Sequence, residues 1–170
     1  MKFLLYALIT FATIALGVYV YGHSLAPIRS GTATNACTAP AHVLLATILD
    51  VESQPRWRKT ISSIQRTGEA SSWIERTNHR EEITFKLLDA NQRFVSMSFV
   101  SNRGYYGKWR AEFTEQSSTV TTITATEEVT VQSPLGRVLS RLLFNPEEFA
   151  ASYLKELCSE AERRAANSNK

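Results

Sequence analysis

Apolar and polar residues alternate over most of the chain between residues 61 and 132, which is the pattern of β-strands with one buried and one solvated face. In segment 82–88, for example, Ile83, Phe85 and Leu87 share one face, while a glutamate, a threonine and a lysine share the other. Turn-forming residues divide the alternation into six strands, 61–66, 72–77, 82–88, 93–100, 106–113 and 119–132. Strands joined by short turns predict an antiparallel meander.

A weak strand and a short helix are predicted before these six strands. Segment 29–37 is the predicted first strand, and Pro40 then stands where a first-turn proline loses no helical hydrogen bond. The apolar run after Pro40 predicts a helix that ends near Asp50. Because Pro55 favours an extended residue before it, we expect a tight turn that brings Trp57 to a defined place.

The C-terminal part of the chain has the helical period. Pro134 begins a segment whose apolar stripe consists of Leu135, Val138, Leu139, Leu142 and Leu143. Asn145 and Pro146 are typical of a helix cap and a first helical turn, which predicts a break and then a second helix. We expect this broken helix to cover the concave face of a curved sheet and to leave a space between them. Residues 165–170 are predicted as a polar tail.

The chain begins with an apolar segment. The 19 residues from Phe3 to Tyr21 carry no charge, and at 1.5 Å per residue they are long enough to cross a hydrocarbon core of roughly 30 Å. A cleaved signal peptide is the alternative, but its apolar region would span about 7–15 residues, and Pro27 would directly follow the small-x-small cleavage site at 24–26. We therefore predict residues 1–26 as an uncleaved membrane anchor with its linker, and residues 27–164 as the folded domain.

The charges on either side of the apolar segment indicate on which side of the membrane the domain lies, and they are few. Lys2 and the α-amino group precede the apolar segment, and Arg29 is the first positive charge after it. This bias favours a single-pass protein with its domain on the outer, periplasmic or extracellular, side. The two cysteines leave the compartment open: Cys37 and Cys158 could form a bridge in an exported domain, but we expect two unpaired, partly buried side chains.

Charge and histidine spacing narrow the functional classes. The 19 basic and 16 acidic residues are nearly balanced, and no stripe of Lys and Arg interleaved with aromatic residues occurs, so we expect no nucleic-acid partner. His23, His42 and His79 lack the spacing of a metal site, and the chain has no glycine-rich phosphate loop. We therefore predict no metal and no cofactor, and the sequence identifies no catalytic residue.

The last strand places a carboxylate among apolar residues. Its odd positions from Ile123 to Val131 are apolar except for Glu127, which therefore falls on the buried face. A carboxylate in that position needs a partner, a solvent-filled cavity or a raised pKa. A bulge that turns Glu127 back to solvent is the alternative.

Eight residues are candidates for a ligand pocket, because a small-molecule site is largely apolar with a few polar groups. They are the aromatic residues Trp57, Trp73, Tyr106, Trp109 and Phe144 and the charged residues Glu75, Arg110 and Glu127. The alternative is that the aromatic residues belong to the core and the charged residues to solvated edges.

The order of elements resembles that of START-like (SRPBCC) proteins, from a first strand and short helix through six strands to a long C-terminal helix. The local sequences are similar to the polyketide cyclase/dehydrase group of that superfamily at residues 40–57, 73–75, 107–109, 126–128 and 134–137. The resemblance covers roughly residues 28–161. It implies an α+β helix-grip fold, in which a curved antiparallel sheet wraps around the C-terminal helix with a deep cavity between them, here preceded by one transmembrane helix.

The resemblance also implies a hydrophobic small-molecule ligand. Only some members of the family are enzymes, so no catalytic residue is carried over. We expect a membrane-anchored domain that holds an apolar or amphipathic ligand, such as a lipid, in the cavity. One alternative is a cyclase- or dehydrase-like enzyme that uses Glu127 or Glu75 as acid or base on a cyclic or aromatic substrate. Another is a non-catalytic module that docks a membrane partner through its sheet.

Overall fold

The predicted strands form one antiparallel sheet in the computed structural model, which describes residues 2–168. The strands are β1 (Ile28–Cys37), β2 (Ile61–Arg66), β3 (Ser72–Thr77), β4 (Glu82–Ala90), β5 (Phe94–Ser101), β6 (Tyr105–Glu115) and β7 (Thr121–Val131). β2 to β7 pair in chain order, and β1 pairs with β7, so the sheet order is β1-β7-β6-β5-β4-β3-β2. The predicted meander and the predicted first strand are both confirmed.

Four helices and a short 3₁₀ helix complete the described chain. They are α1 (Lys2–Ser24), α2 (Ala41–Leu49), the 3₁₀ helix (Val51–Arg56), α3 (Pro134–Leu143) and α4 (Pro146–Ser168). The Pro40 carbonyl accepts a hydrogen bond from the Val43 N–H at 3.0 Å, so α2 begins after this proline as predicted. The predicted break near Asn145 is also confirmed, because this residue lies between α3 and α4 and its Oδ1 accepts a hydrogen bond from the Glu147 N–H at 3.1 Å.

α4 packs mainly on β1, β7 and α2, across one side of the sheet. Gly31 of β1 allows this approach, because a Cβ atom there would overlap the backbone of Pro146 and Glu147 at the start of α4. Further along, a disulfide joins Cys37 at the end of β1 to Cys158 of α4, with their Cα atoms 5.1 Å apart. The expectation of two unpaired cysteines is wrong, because the elements that carry them lie side by side although 121 residues separate them in the chain.

The inner face of the sheet forms the hydrophobic core together with α2 and α4. Along β7 every odd-numbered residue from Thr121 to Val131 is buried. The pairing of β7 with both of its neighbours runs without a register shift. Glu127 therefore lies on the buried face, as the strand parity predicts, and no bulge turns it to solvent.

α3 does not cover the sheet. The leucines of its apolar stripe are exposed, none of its residues is buried, and its main contact is with α1. Gly22 of α1 allows this contact, because a Cβ atom there would overlap the backbone of Pro134 at the start of α3. The expectation that both halves of the broken helix cover the concave face is therefore wrong for α3 and holds only for α4.

The two ends of the described chain are helical. α1 has 23 residues, and its most apolar stretch has a mean hydropathy of 2.2 with none of it buried, so it is long and apolar enough to cross a membrane. α4 continues to Ser168 and thus includes most of the segment predicted as a polar tail. Residues 169 and 170 lie outside the described part.

Candidate functional site

A buried ion pair between Arg58 and Glu75 lies on the inner side of the sheet. Arg58 follows the 3₁₀ helix and Glu75 lies on β3, and the Arg58 Nη1 donates to both Glu75 carboxylate oxygens at 2.9 Å. The same nitrogen donates to the Gln54 Oε1 at 2.6 Å. Burial alone would lower the pKa of Arg58, but the neighbouring carboxylate more than offsets this, so the pKa lies above its ordinary value and the guanidinium stays charged.

Tyr153 of α4 connects the ion pair to two tryptophans. The Arg58 guanidinium carbon lies 5.2 Å from the centroid of the Tyr153 ring, in cation–π geometry. The same ring lies 6.1 Å from Trp57 and 5.4 Å from Trp109, the latter edge to face. Burial raises the pKa of the Tyr153 phenol, so the hydroxyl keeps its proton.

A row of aromatic rings extends from the ion pair across the inner face. Trp73, Phe85 and Phe99 occupy paired positions on β3, β4 and β5, so their side chains lie side by side. Trp73 stacks on Phe85 with ring centroids 5.6 Å apart, and Phe85 lies at the same distance from Phe99. The Trp73 Nε1 also donates to the Glu75 Oε1 at 3.2 Å, which fixes both side chains.

Glu127 is a second buried carboxylate in this region. It lies on β7 opposite Trp109, is 7% exposed, and its Oε2 has no hydrogen-bond partner. Burial raises the pKa of Glu127 to about 7, although attraction to Arg58 partly opposes the rise. A carboxyl group with this pKa is able to give or take a proton near neutral pH.

The structure brings together five of the eight predicted site residues. Trp57, Trp73, Glu75, Trp109 and Glu127 lie on the inner side of the sheet, while Phe144 lies at the corner between α3 and α4, against the edge of the core. The prediction is wrong for Tyr106 and Arg110, which point to the outer face. Both are an odd number of residues from the inward-facing Trp109 on β6, and successive side chains of a strand alternate between faces.

Sequence reasoning missed Arg58 and Gln54 as members of the site. No periodicity indicates them, because they lie in and after a 3₁₀ helix where neither the helix nor the strand period applies. The candidate site residue Glu75 was the signal that could have led to them, because a carboxylate on a buried strand face implies a cationic or hydrogen-bonding partner. Within residues 2–168 no group of three or more His, Cys, Asp and Glu side chains is arranged to hold a metal ion.

The inner face of β4 is less covered than the rest of the core. α4 packs on the same face but at the other end of the sheet, on β1 and β7, and Ile83, Phe85 and Leu87 of β4 stay half-buried, although they face the interior. We call the face formed by these three residues the β4 groove. Two pockets among the described residues lie elsewhere: one of about 610 Å³ beside Arg110 on the outer face, and one of about 330 Å³ beside Trp57.

The pocket beside Trp57 is polar. Arg56, Arg163 and Arg164 line it together with Asp50 and Glu160. Arg164 donates to the Asp50 Oδ2 at 2.9 Å and to the Glu160 Oε1 at 2.8 Å, so acidic groups of the chain already balance this guanidinium. The Trp57 Nε1 is buried and has no hydrogen-bond partner.

Comparison with known proteins identifies the fold. No model of a protein family matches the sequence, and no curated protein matches it. A solved START superfamily protein from Mycobacterium smegmatis has 14% identity and a TM-score of 0.60, over 81% of this chain and 97% of that one. The aromatase/cyclase Zhui from a Streptomyces species has 14% identity and a TM-score of 0.59, over 81% and 95%. Norcoclaurine synthase from Thalictrum flavum, solved as a point mutant with a transition-state analogue, has 10% identity and a TM-score of 0.63, over 84% and 97%. At these identities the similarity is one of fold.

Proposed function

We propose that this chain, which has the START-like helix-grip fold, is a membrane-anchored domain that binds an apolar or amphipathic small molecule such as a lipid. In this proposal residues 1–26 are the anchor and its linker, and residues 27–164 are the binding domain. The ligand lies on the inner side of the sheet, in the β4 groove.

The observation that carries this proposal is the incomplete burial of the β4 groove. Core-facing aliphatic and aromatic side chains are normally removed from water, because each contributes about 1.5–3 kcal/mol on burial. Ile83, Phe85 and Leu87 face the interior and still keep part of their surface exposed. The Arg58–Glu75 pair and Glu127 supply a small number of polar groups on the same side of the sheet, which suits an amphipathic ligand.

Native mass spectrometry of the full chain tests this proposal. The protein is purified from cells in a saccharide detergent, and its spectrum is compared with an organic extract of the same sample. We expect a bound small molecule at stoichiometric amount. An empty protein that co-purifies with another protein would contradict the proposal and favour a non-catalytic interaction module.

Two adjacent leucines provide a matched pair of variants. Leu87→Trp fills the β4 groove, whereas Leu88→Trp adds the same side chain at a position that is 51% exposed. We expect the bound mass to disappear in Leu87→Trp and to persist in Leu88→Trp. Equal retention in both variants would place the ligand outside the β4 groove.

A second candidate function is an enzyme acting on a cyclic or aromatic substrate, and the state of Glu127 favours it. This carboxyl group is buried, has an unpartnered oxygen and has its pKa raised to about 7 by burial, which suits a general acid or base. Glu75 is less available, because Arg58 and Trp73 already occupy its oxygens. In this case Glu127→Gln retains the bound molecule and loses its conversion; unchanged conversion would exclude the role.

The disulfide supports a location of the domain on the outer side of the membrane. Disulfides such as Cys37–Cys158 persist mainly in oxidising compartments, and the charge bias around α1 favours the same orientation. Added protease distinguishes the two sides. We expect it to cleave the domain in spheroplasts and to leave the domain intact in sealed inside-out vesicles. Cleavage from the cytoplasmic side would contradict this orientation.

A further inference from the structure

α3 presents an apolar face that no described residue covers. Leu135, Leu139, Leu142 and Leu143 are 56%, 45%, 74% and 80% exposed. At the helical period these four positions fall within an arc of about 100°, which is the apolar side of an amphipathic helix. A contiguous apolar surface of this kind marks an interaction site.

The opposite side of α3 is fastened to the segment that follows α1. The Arg137 Nη1 donates to the Leu25 carbonyl at 3.3 Å, and the Arg141 Nη2 donates to the Ala26 carbonyl at 3.4 Å. From the other direction, the Arg29 Nη1 donates to the Ser140 carbonyl at 2.6 Å. The arginines of α3 thus face the linker, and its leucines face away from it.

The position of α3 along α1 indicates what its leucines meet. Gly22, in the last turns of α1, lies directly against the backbone of Pro134 at the start of α3. Where α1 crosses a bilayer, its last turns lie at the membrane surface. α3 is therefore held at the level of the lipid headgroups, where amphipathic helices bury their apolar faces by about 5–10 Å.

We propose that α3 is an interfacial membrane helix that lies in the bilayer surface, with its four leucines directed at the acyl chains. This inference rests on the proposed role of α1 as a membrane span. The occupant of the leucine face is the lipid bilayer rather than a second protein, because α3 packs against the end of α1, a helix that is long and apolar enough to cross a membrane. The domain is then attached to the membrane by two elements, a span and a surface helix.

Depth-dependent fluorescence quenching tests this proposal on the full chain reconstituted in phosphatidylcholine vesicles. An environment-sensitive thiol dye is attached at Leu142→Cys or Leu139→Cys, since the native cysteines are joined in the disulfide. Thr84→Cys on the exposed outer face is the control, and Ile14→Cys reports on α1. Circular dichroism verifies that each variant is folded.

We expect lipids that carry a quencher close to the headgroup to remove most of the fluorescence at positions 142 and 139, and none at Thr84. Deep quenchers should remove it at Ile14. Quenching at Ile14 without quenching at Leu142 would overturn the inference about α3 and leave the membrane span intact. No quenching at Ile14 would contradict the span itself. A dye at Leu142 that is shielded from water but untouched by lipid quenchers would indicate a protein partner and also overturn the inference.

Discussion

Replacement of Glu127 by glutamine should change how the stability of the protein depends on pH. In the folded state burial raises the pKa of Glu127 from 4.5 to about 7. The unfolded chain, in which this carboxyl is solvated, keeps the lower value. Between these two pKa values the folded protein binds more protons than the unfolded protein, so the wild type loses stability as the pH rises.

The size of this loss follows from the difference between the two pKa values. A rise from 4.5 to about 7 corresponds to about 3 kcal/mol, at about 1.4 kcal/mol per pH unit. Well below pH 4.5 the group is protonated in both states and contributes nothing. Well above its folded pKa the group is ionised in both states, and the wild type has then lost this full amount of its free energy of unfolding. Glutamine is neutral throughout, so the Glu127→Gln variant lacks this loss.

Urea unfolding of the full chain in a nonionic detergent measures the effect. The free energy of unfolding of Glu127→Gln minus that of the wild type should increase by about 2–3 kcal/mol between about pH 5 and about pH 8. Only this change with pH is diagnostic, because replacing the carboxyl group by an amide also changes the free energy of unfolding by an amount that does not depend on pH. Glu128→Gln, which makes the same replacement on the exposed side of β7, is the matched control. A flat difference for Glu127→Gln would mean that its carboxyl is solvated, and would refute its inward placement.

Three further predictions concern the contacts that hold the site together. Arg58→Met leaves the carboxylate of Glu75 buried without its partner, so we expect urea unfolding to show a loss of about 3–5 kcal/mol in the free energy of unfolding. Adding Glu75→Leu should recover part of this loss, and no recovery would contradict the ion pair as its cause. Cys158→Ala should lower the free energy of unfolding by about 2–5 kcal/mol, and thiol reduction should bring the wild type to the same level. Gly31→Ala should cost about 1–3 kcal/mol, because the added methyl meets the start of α4, whereas Gly68→Ala, with open space around it, should change thermal stability by less than about 0.5 kcal/mol.

The order of elements was predictable because each element follows a local period. Alternation located the strands, and parity counting on β7 placed Glu127 on the buried side without any tertiary information. The same counting, applied to β6, separates Tyr106 and Arg110 from the inward-facing Trp109. Those two errors arose because aromatic and charged residues were grouped by type rather than by face.

Other features depend on contacts between distant parts of the chain. The pairing of Cys37 with Cys158 requires that α4 lie along β1, and no local pattern encodes this. The apolar stripe of α3 was visible in the sequence, but its direction was not, because an amphipathic helix fits a protein core and a membrane surface equally well. The location of Arg58 likewise depends on a contact between distant residues, since its partner Glu75 lies on β3, 17 residues further along the chain.

The short connection between α1 and β1 limits how far the domain is able to travel. Only residues 25–27 separate Ser24 from Ile28, and a fully extended chain of this length spans roughly 14 Å. A lipid carrier that shuttles between two membranes needs a reach several times larger. If α1 spans a membrane and the domain binds a lipid, as proposed above, a domain held this closely exchanges that ligand with the leaflet beside it, or hands it to a second protein that approaches that leaflet.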